Sequence, residues 1–256
     1  MVVTREQLGS ALLSDPTIRP RPGEQRRDAG ETRLARADEI RVVTTRTSPS
    51  IPSLRAKRLV DVVVATSVLV LGLPIFVVIY LAVRLTSRGP AFYSCERVGR
   101  DGRPFRCLKF RTMVANADQS LLLILRESSA LTQEFEQHFK LRRDPRVTRV
   151  GRVLRRISLD ELPQFWNVLT GDMSVVGWRP VVSDEVPRYG NAFRLVSSLR
   201  PGITGLWQVS GRNDVSYDER VRLDVEYAMR PSLWADVSIM WRTAAQLLRW
   251  WDNGAY

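Results

Sequence analysis

The sequence predicts an α+β fold, mainly helical and attached to a membrane, and three observations predict it. One apolar segment, Leu59 to Val83, is long enough to enter a bilayer and is interrupted by Pro74. Two short segments rich in aromatic and β-branched residues flank an Asp-Gly step, which reads as a small β-hairpin. Much of the rest carries apolar residues at spacings of three and four, as amphipathic helices do, and the last of these suits a membrane interface.

At 256 residues the chain has room for one substantial domain with appendages. Its net charge of +12 and pI near 10.7 imply an anionic partner: nucleic acid, phospholipid or a phosphorylated metabolite. Composition does not choose among them. The one histidine, His138, excludes a His-rich zinc site and argues against a Ser-His-Asp arrangement. Cys95 and Cys107 are not spaced as a CxxC pair, so reduced, partly buried thiols in a reducing compartment are expected. Chemistry, if present, falls to carboxylates, lysines or hydroxyls.

In chain order the sequence divides into a polar extension (1–50), a membrane segment (51–88) and the remaining unit (89–256). The extension is rich in Arg, Asp, Glu, Thr and Pro and reads as disordered or loosely helical, with no secretory signal pattern. The membrane segment's roughly 25 apolar residues make about 37 Å of helix. Basic residues stand at both ends, Arg55, Lys57 and Arg58 before and Arg84 and Arg88 after, which favours entry and exit on one face. Pro74 divides it into arms of about 15 and 10 residues, each too short to cross alone. A kinked spanning helix is the alternative, since prolines are tolerated in such helices. Asp61, just inside the apolar run, has Lys57 and Arg58 one helical turn before it, and a local pair is expected.

From Gly89 the pattern changes. AFYSCERV and PFRCLKF surround GRDGR, giving the hairpin, and Lys109 and Arg111 alternate on one face at the end of its second strand, a spacing suited to a phosphate. Residues 115–140 read as a helix. Arg142 to Arg156 is a basic run that reads as a solvated or membrane-facing surface, except that Arg155 closely precedes a carboxylate pair.

That pair, Asp160 and Glu161, lies in ISLDELPQFWNVLTGDMSVVGWRP, residues 157–180. Ser158 and Glu161 have capping-box spacing, so a helix start is expected there. One reading is purely structural, with Glu161 as a cap. The other is chemical: helix N-terminus and arginines keep Asp160 ionised, able to attack phosphorus where a divalent metal screens the charge, while Glu161 binds that metal or moves a proton. Pro163 keeps the turn irregular. Further on, RPGITGLWQVSGRN (200–213) reads as a glycine-rich loop, Asp218 to Met229 as a helix, and Leu233 to Trp251 as a Trp-rich interfacial helix.

KRLVD, the apolar run with Pro74, SRGPAFYSCERVGRDGRPFRCLKFRTM, DPRVTRVGRVLRRISLDELPQFWNVLTGDMSVVGWRP and RPGITGLWQVSGRN, in this order from Lys57, resemble the bacterial sugar transferases, the monotopic polyprenyl-phosphate phosphoglycosyl transferases. The resemblance implies a broken, re-entrant membrane helix bent at Pro74 and a catalytic unit on the cytoplasmic face of the inner membrane. It implies a ping-pong reaction in which Asp160 attacks a UDP-sugar and releases UMP, and undecaprenyl phosphate then takes the phosphosugar. Glu161 is its dyad partner, Mg2+ the cofactor held by Asp160 and Glu161, and Lys109, Arg111, Arg155 and Arg179 the phosphate or nucleotide contacts. A hexose 1-phosphate, of galactose or glucose, is implied, serving glycan assembly; a homo-oligomer is a further candidate and no nucleic acid is expected. Gly177-Trp178-Arg179-Pro180 departs from the family's Gly-Pro-Arg-Pro. Other classes weighed are a membrane-tethered nucleic-acid binder, on the strength of the arginine run, and a non-catalytic scaffold.

Overall fold

The computed structural model describes residues 51–138, 141, 144–211 and 215–249; the polar extension (1–50), Trp250 and Trp251 lie outside the described residues. Two helices open it, α1 (Ile51–Leu71) and α2 (Leu73–Thr86), bent 62° from each other. The break falls at Gly72, with Pro74 in the first turn of α2, where its missing N–H goes unneeded. The bend expected at Pro74 is thus displaced two residues toward the N-terminus. Among the described residues no single helix is long and apolar enough to cross a membrane, but the bent pair together meets that length and composition. Both arms leave large apolar side chains exposed, among them Leu59, Leu71, Leu73 and Leu85.

Asp61 does not pair locally. Its carboxylate accepts from Ser174 Oγ (2.9 and 2.8 Å) and from the Val175 amide (2.9 Å), groups remote in sequence that the fold brings to it. Lys57 turns instead to Asp236 (2.8 Å) and the Val176 carbonyl (2.9 Å), and Arg58 to the carbonyls of Val168 (2.6 Å) and Leu169 (3.0 Å). The polar start of α1 is therefore tied into the rest of the molecule.

The hairpin forms as expected: β1 (Phe92–Val98) runs antiparallel to β2 (Pro104–Phe110). At its turn Asp101 (φ 55°) and Gly102 (φ 77°) both occupy the left-handed region, the conformation that an Asp-Gly step accepts. Cys95 and Cys107 stand opposite each other, unlinked and buried. The helix expected over 115–140 is two helices, α3 (Ala117–Glu127) and α4 (Ser129–His138), separated by an extended Ser128 (φ −142°, ψ 108°).

The basic run contains α5 (Arg149–Arg156), capped by Thr148, whose Oγ1 accepts from the Gly151 amide at 2.9 Å. Gly151 lies so close to the Thr112 backbone that a Cβ there would come within 2.0 Å of its carbonyl oxygen. Only glycine lets α5 sit against the exit of β2. A 3-10 turn (Leu159–Glu161), α6 (Gln164–Thr170) and β3 (Ser174–Val176) follow. Next come α7 (Val186–Tyr189), α8 (Phe193–Ser197), β4 (Gly202–Thr204), α9 (Leu206–Val209), α10 (Tyr217–Met229) and α11 (Leu233–Arg249).

The stretch read as a glycine-rich loop therefore supplies a strand and a helical turn: β4 pairs in parallel with β3. The backbones meet so closely that a Cβ on Gly202 would fall 2.1 Å from the Gly177 nitrogen. Trp178, where the resemblance leads one to expect a proline, is fully buried; its Nε1 donates to the Leu199 carbonyl (3.0 Å), and its ring meets Tyr189 and Phe193 edge-on. The main core joins β3, α6, α8 and α10 with the inner face of α1. On α11, Asp236 and Ile239 face inward, while Trp234 (81% exposed) and Trp241 (75%) face outward with Val237 and Leu248.

Candidate active site

Asp160 and Glu161 sit on the 3-10 turn between α5 and α6. The capping box does not form: Ser158 is left-handed (φ 54°) and its side chain caps nothing. A cap residue needs extended backbone to aim its hydroxyl at the first turn, and Ser158 lacks it. Pro163 directly precedes α6 as its N-cap residue, so the two carboxylates lie ahead of the helix on an irregular turn, as the proline suggested.

Glu161 faces an open cleft where Arg97, Lys109, Gln164, Arg179 and Gln208 also converge. Lys109 Nζ donates to Glu161 Oε1 at 2.6 Å. Burial acts to raise the Glu161 carboxyl, but Lys109, Arg179 and a hydrogen bond with Gln164 outweigh it and hold the group below its usual range. Lys109 is held above its ordinary value: burial works against its charge, and Glu161 and Asp160 restore it.

Asp160 behaves oppositely. It is 8% exposed, and burial raises its carboxyl above the usual range; Lys109 and Arg155 pull it down without prevailing, while Glu161 adds to the rise. The helix N-terminus expected beside Asp160 is absent because the helix starts later; Arg155 does favour the ionised form as expected, but desolvation dominates. Two adjacent carboxylates are thereby pushed apart, an arrangement that gives acid-base and nucleophilic sites distinct roles.

Among the described residues no group of three or more His, Cys, Asp or Glu gathers as a metal cage. Two neighbouring carboxylates nevertheless fit Mg2+, which binds through one or two carboxylates and completes its octahedron with water and phosphate oxygens. Asp160 fits this use, since burial penalises its charged form and a cation beside it would offset that penalty.

The other expected residues divide. Arg155 donates from Nε to Thr112 Oγ1 (2.9 Å) and lies close enough to Asp160 to act on its charge. Arg179 reaches the cleft. Arg111 does not line it: its Nη2 donates to the Ser87 carbonyl and Oγ, both at 2.8 Å, and its buried Nε and Nη1 have no hydrogen-bond partner. Alternation predicts Lys109 and Arg111 on one strand face, but β2 ends at Phe110, and Arg111 ties its exit to Ser87 just after α2 while Lys109 meets Glu161.

Sequence reading missed Arg97, Gln164 and Gln208. Gln164 had a local signal, since three residues after Glu161 it falls on the same side of a helical turn. Arg97 and Gln208 arrive through hairpin and strand pairing and had none.

Residues 52–250 match the family model of the bacterial sugar transferases. Over 200 residues the chain is 48% identical to a UDP-galactose-lipid carrier transferase of Erwinia amylovora, covering 78% of this chain and 41% of that one. It is 48% identical over 188 residues to the exopolysaccharide production protein ExoY of Rhizobium meliloti, covering 73% of this chain and 83% of that one. A UDP-glucose:undecaprenyl-phosphate glucose-1-phosphate transferase of Escherichia coli is 40% identical over 195 residues, 39% of its length. The chain thus spans about two fifths of the longer relatives and most of ExoY.

Proposed function

Because the chain belongs to the bacterial sugar transferase family, we propose that it moves a hexose 1-phosphate, of galactose or glucose, from a UDP-sugar to undecaprenyl phosphate. The Asp160 carboxylate attacks the phosphorus that bears the sugar. The bond from that phosphorus to the bridging oxygen breaks, UMP leaves with the electron pair, and the phosphosugar is held on the side chain as an acyl phosphate. An oxygen of undecaprenyl phosphate then attacks the same phosphorus and frees the carboxylate, giving the lipid-linked diphosphate sugar that starts exopolysaccharide, O-antigen or capsule assembly.

The observation that carries this reading is a Lys109–Glu161 ion pair on a cleft whose other charged groups, Arg97 and Arg179, are cationic, with the buried Asp160 next to Glu161 in the chain. Such a cleft suits a diphosphate. Lys109, Arg97 and Arg179 hold the phosphate oxygens, and Arg155 favours the ionised form of Asp160. Mg2+ bound by Asp160 and Glu161 would neutralise diphosphate charge and so ease the approach of one anion to another. Glu161, kept ionised by Lys109, completes that oxygen set.

The bent pair α1–α2 is read as re-entrant, bringing this unit to the cytoplasmic face of the inner membrane, where the lipid substrate lies. Exposed apolar side chains on both arms and the outward Trp234 and Trp241 of α11 support a membrane surface as neighbour. Asp160→Asn should keep membrane association and lose UMP release from UDP-glucose and UDP-galactose. Mass spectrometry of protein quenched during turnover should find the phosphosugar on Asp160, and an adduct on any other residue would overturn the assignment. Cysteine labelling that put the two ends of the bent pair on opposite membrane faces would exclude re-entry.

A further inference from the structure

Arg179 is held in the cleft differently from Lys109. Lys109 shares its charge with Glu161 at 2.6 Å, whereas the Arg179 guanidinium lies over the Trp207 indole, 5.5 Å from the ring centroid. A second guanidinium, Arg220 of α10, lies over the same ring at 5.1 Å and over Tyr217 at 5.0 Å. Arg220 is fixed in turn: its Nη2 donates to Tyr189 Oη (3.3 Å), and Glu185 stands 3.7 Å from Nη1. Tyr189 donates onward to the buried Asp224 at 2.8 Å. The ring is therefore seated on a scaffold anchored in α7 and α10, and Arg179 rests on it from the cleft side.

Trp207 is almost wholly buried, yet its indole N–H has no hydrogen-bond partner. An unpaired buried donor costs stability, and a phenyl or aliphatic side chain would avoid that cost. What the indole supplies beyond those is the broadest π face and the strongest attraction for a cation. A ring also holds a guanidinium without neutralising it. A carboxylate partner would consume charge that a diphosphate needs; the indole leaves it available.

We propose that Trp207 is a positioning residue for phosphosugar transfer: its indole face aims the Arg179 guanidinium at the diphosphate of the nucleotide sugar. This rests on the reading of the cleft as the UDP-sugar site. Without the ring, Arg179 keeps its charge but samples more rotamers, so the loss falls on donor binding and not on the lipid acceptor.

The test is UMP release by the full chain in lipid vesicles containing undecaprenyl phosphate, with UDP-glucose and UDP-galactose varied in turn. Trp207→Leu should raise KM for the UDP-sugar about tenfold, and Trp207→Phe about threefold, as loss or weakening of one cation–π contact implies. KM for undecaprenyl phosphate should stay unchanged. In an Arg179→Ala background neither substitution should cause a further loss, since the contact is already gone. Losses that recur undiminished in that background, or a fall in kcat with KM for the UDP-sugar intact, would assign Trp207 to packing alone and overturn the proposal. Melting temperatures show whether Trp207→Leu folds; where it does not, the cycle with Trp207→Phe decides by the same criterion. Unsubstituted protein that released no UMP from any UDP-sugar would instead remove the transferase reading, and the proposal with it.

Discussion

The Asn167 side chain receives the Leu108 backbone amide on its Oδ1 at 2.9 Å, and its Nδ2 donates to the Arg106 carbonyl at 2.8 Å. One carboxamide from α6 thus satisfies the outer edge of β2 as a third strand would. Arg106 and Leu108 turn these groups away from β1, while Lys109, the next residue, meets Glu161. Since Glu161 lies just before α6, this contact sets the helix against the hairpin and brings the cation to the dyad.

Replacing Asn167 tests that registration. Asn167→Ala leaves the Leu108 amide and the Arg106 carbonyl without this partner in a partly buried place, at a cost of about 1–3 kcal/mol. Asn167→Asp keeps an acceptor for Leu108 but sets a second oxygen against the Arg106 carbonyl. Both variants should melt lower than the parent in thermal unfolding and release UMP at least about tenfold more slowly, through the lost Lys109–Glu161 alignment. Unaltered melting and rate would show that the hairpin needs no such edge.

Lys109→Met should act on chemistry more than on folding. Burial alone raises the Glu161 carboxyl, and Lys109 is the foremost group opposing it. Without the cation Glu161 takes up a proton more readily, and the proposed phosphate contact of Lys109 would be lost with it. UMP release should fall about a hundredfold or more, the scale of losing one preorganised electrostatic contact, while the circular dichroism spectrum is retained. A variant within a few-fold of the parent would place the phosphate-binding charge elsewhere.

Asp224 gives the fold a pH dependence. Burial raises its carboxyl to about 7, although Tyr189, Arg220 and Arg179 all act to lower it. The folded state therefore holds this proton more tightly than the unfolded chain, whose ordinary value is 3.8. The contribution is fully present below that value and is lost as pH rises toward about 7, with a slope of about 1.4 kcal/mol per pH unit at its steepest. Asp224→Asn removes the titration, so unfolding free energy measured from pH 5 to pH 8 should fall less steeply than in the parent. An identical slope in both proteins would show that Asp224 does not titrate there.

Legibility in the sequence followed the range of the interactions. The hairpin was readable because an Asp-Gly step states its own backbone, and Asp101 and Gly102 take it. The carboxylate pair was readable from adjacency. The capping box failed although its residues match, because spacing does not report the left-handed backbone of Ser158. Asp61 was paired with Lys57 or Arg58 because only neighbours one turn away were visible; its partner Ser174 lies 113 positions on. Trp178 has no local signal for replacing a proline, and its reason lies in the rings of Tyr189 and Phe193. Trp207 was one letter in a glycine-rich segment until β4 carried it behind Arg179.

The last prediction concerns how the bent helices are held to the rest. Lys57 Nζ lies 2.8 Å from Asp236 Oδ2, and Asp236 also accepts from Tyr227 Oη at 2.6 Å, joining α1, α10 and α11 in one buried polar contact. Lys57→Met leaves the Asp236 carboxylate with the tyrosine hydroxyl and no cation, and breaking one side of a buried pair costs about 3–5 kcal/mol. Lys57→Met together with Asp236→Leu removes both charges and should recover much of that loss. If the pair serves only stability, the double variant should regain both its resistance to unfolding and its UMP release. If it also fixes the angle between the bent helices and the outward, Trp-bearing face of α11, stability should return while UMP release from vesicles stays low. Release that recovers in detergent and not in vesicles would tie the defect to the membrane; equal losses in both would tie it to the dyad.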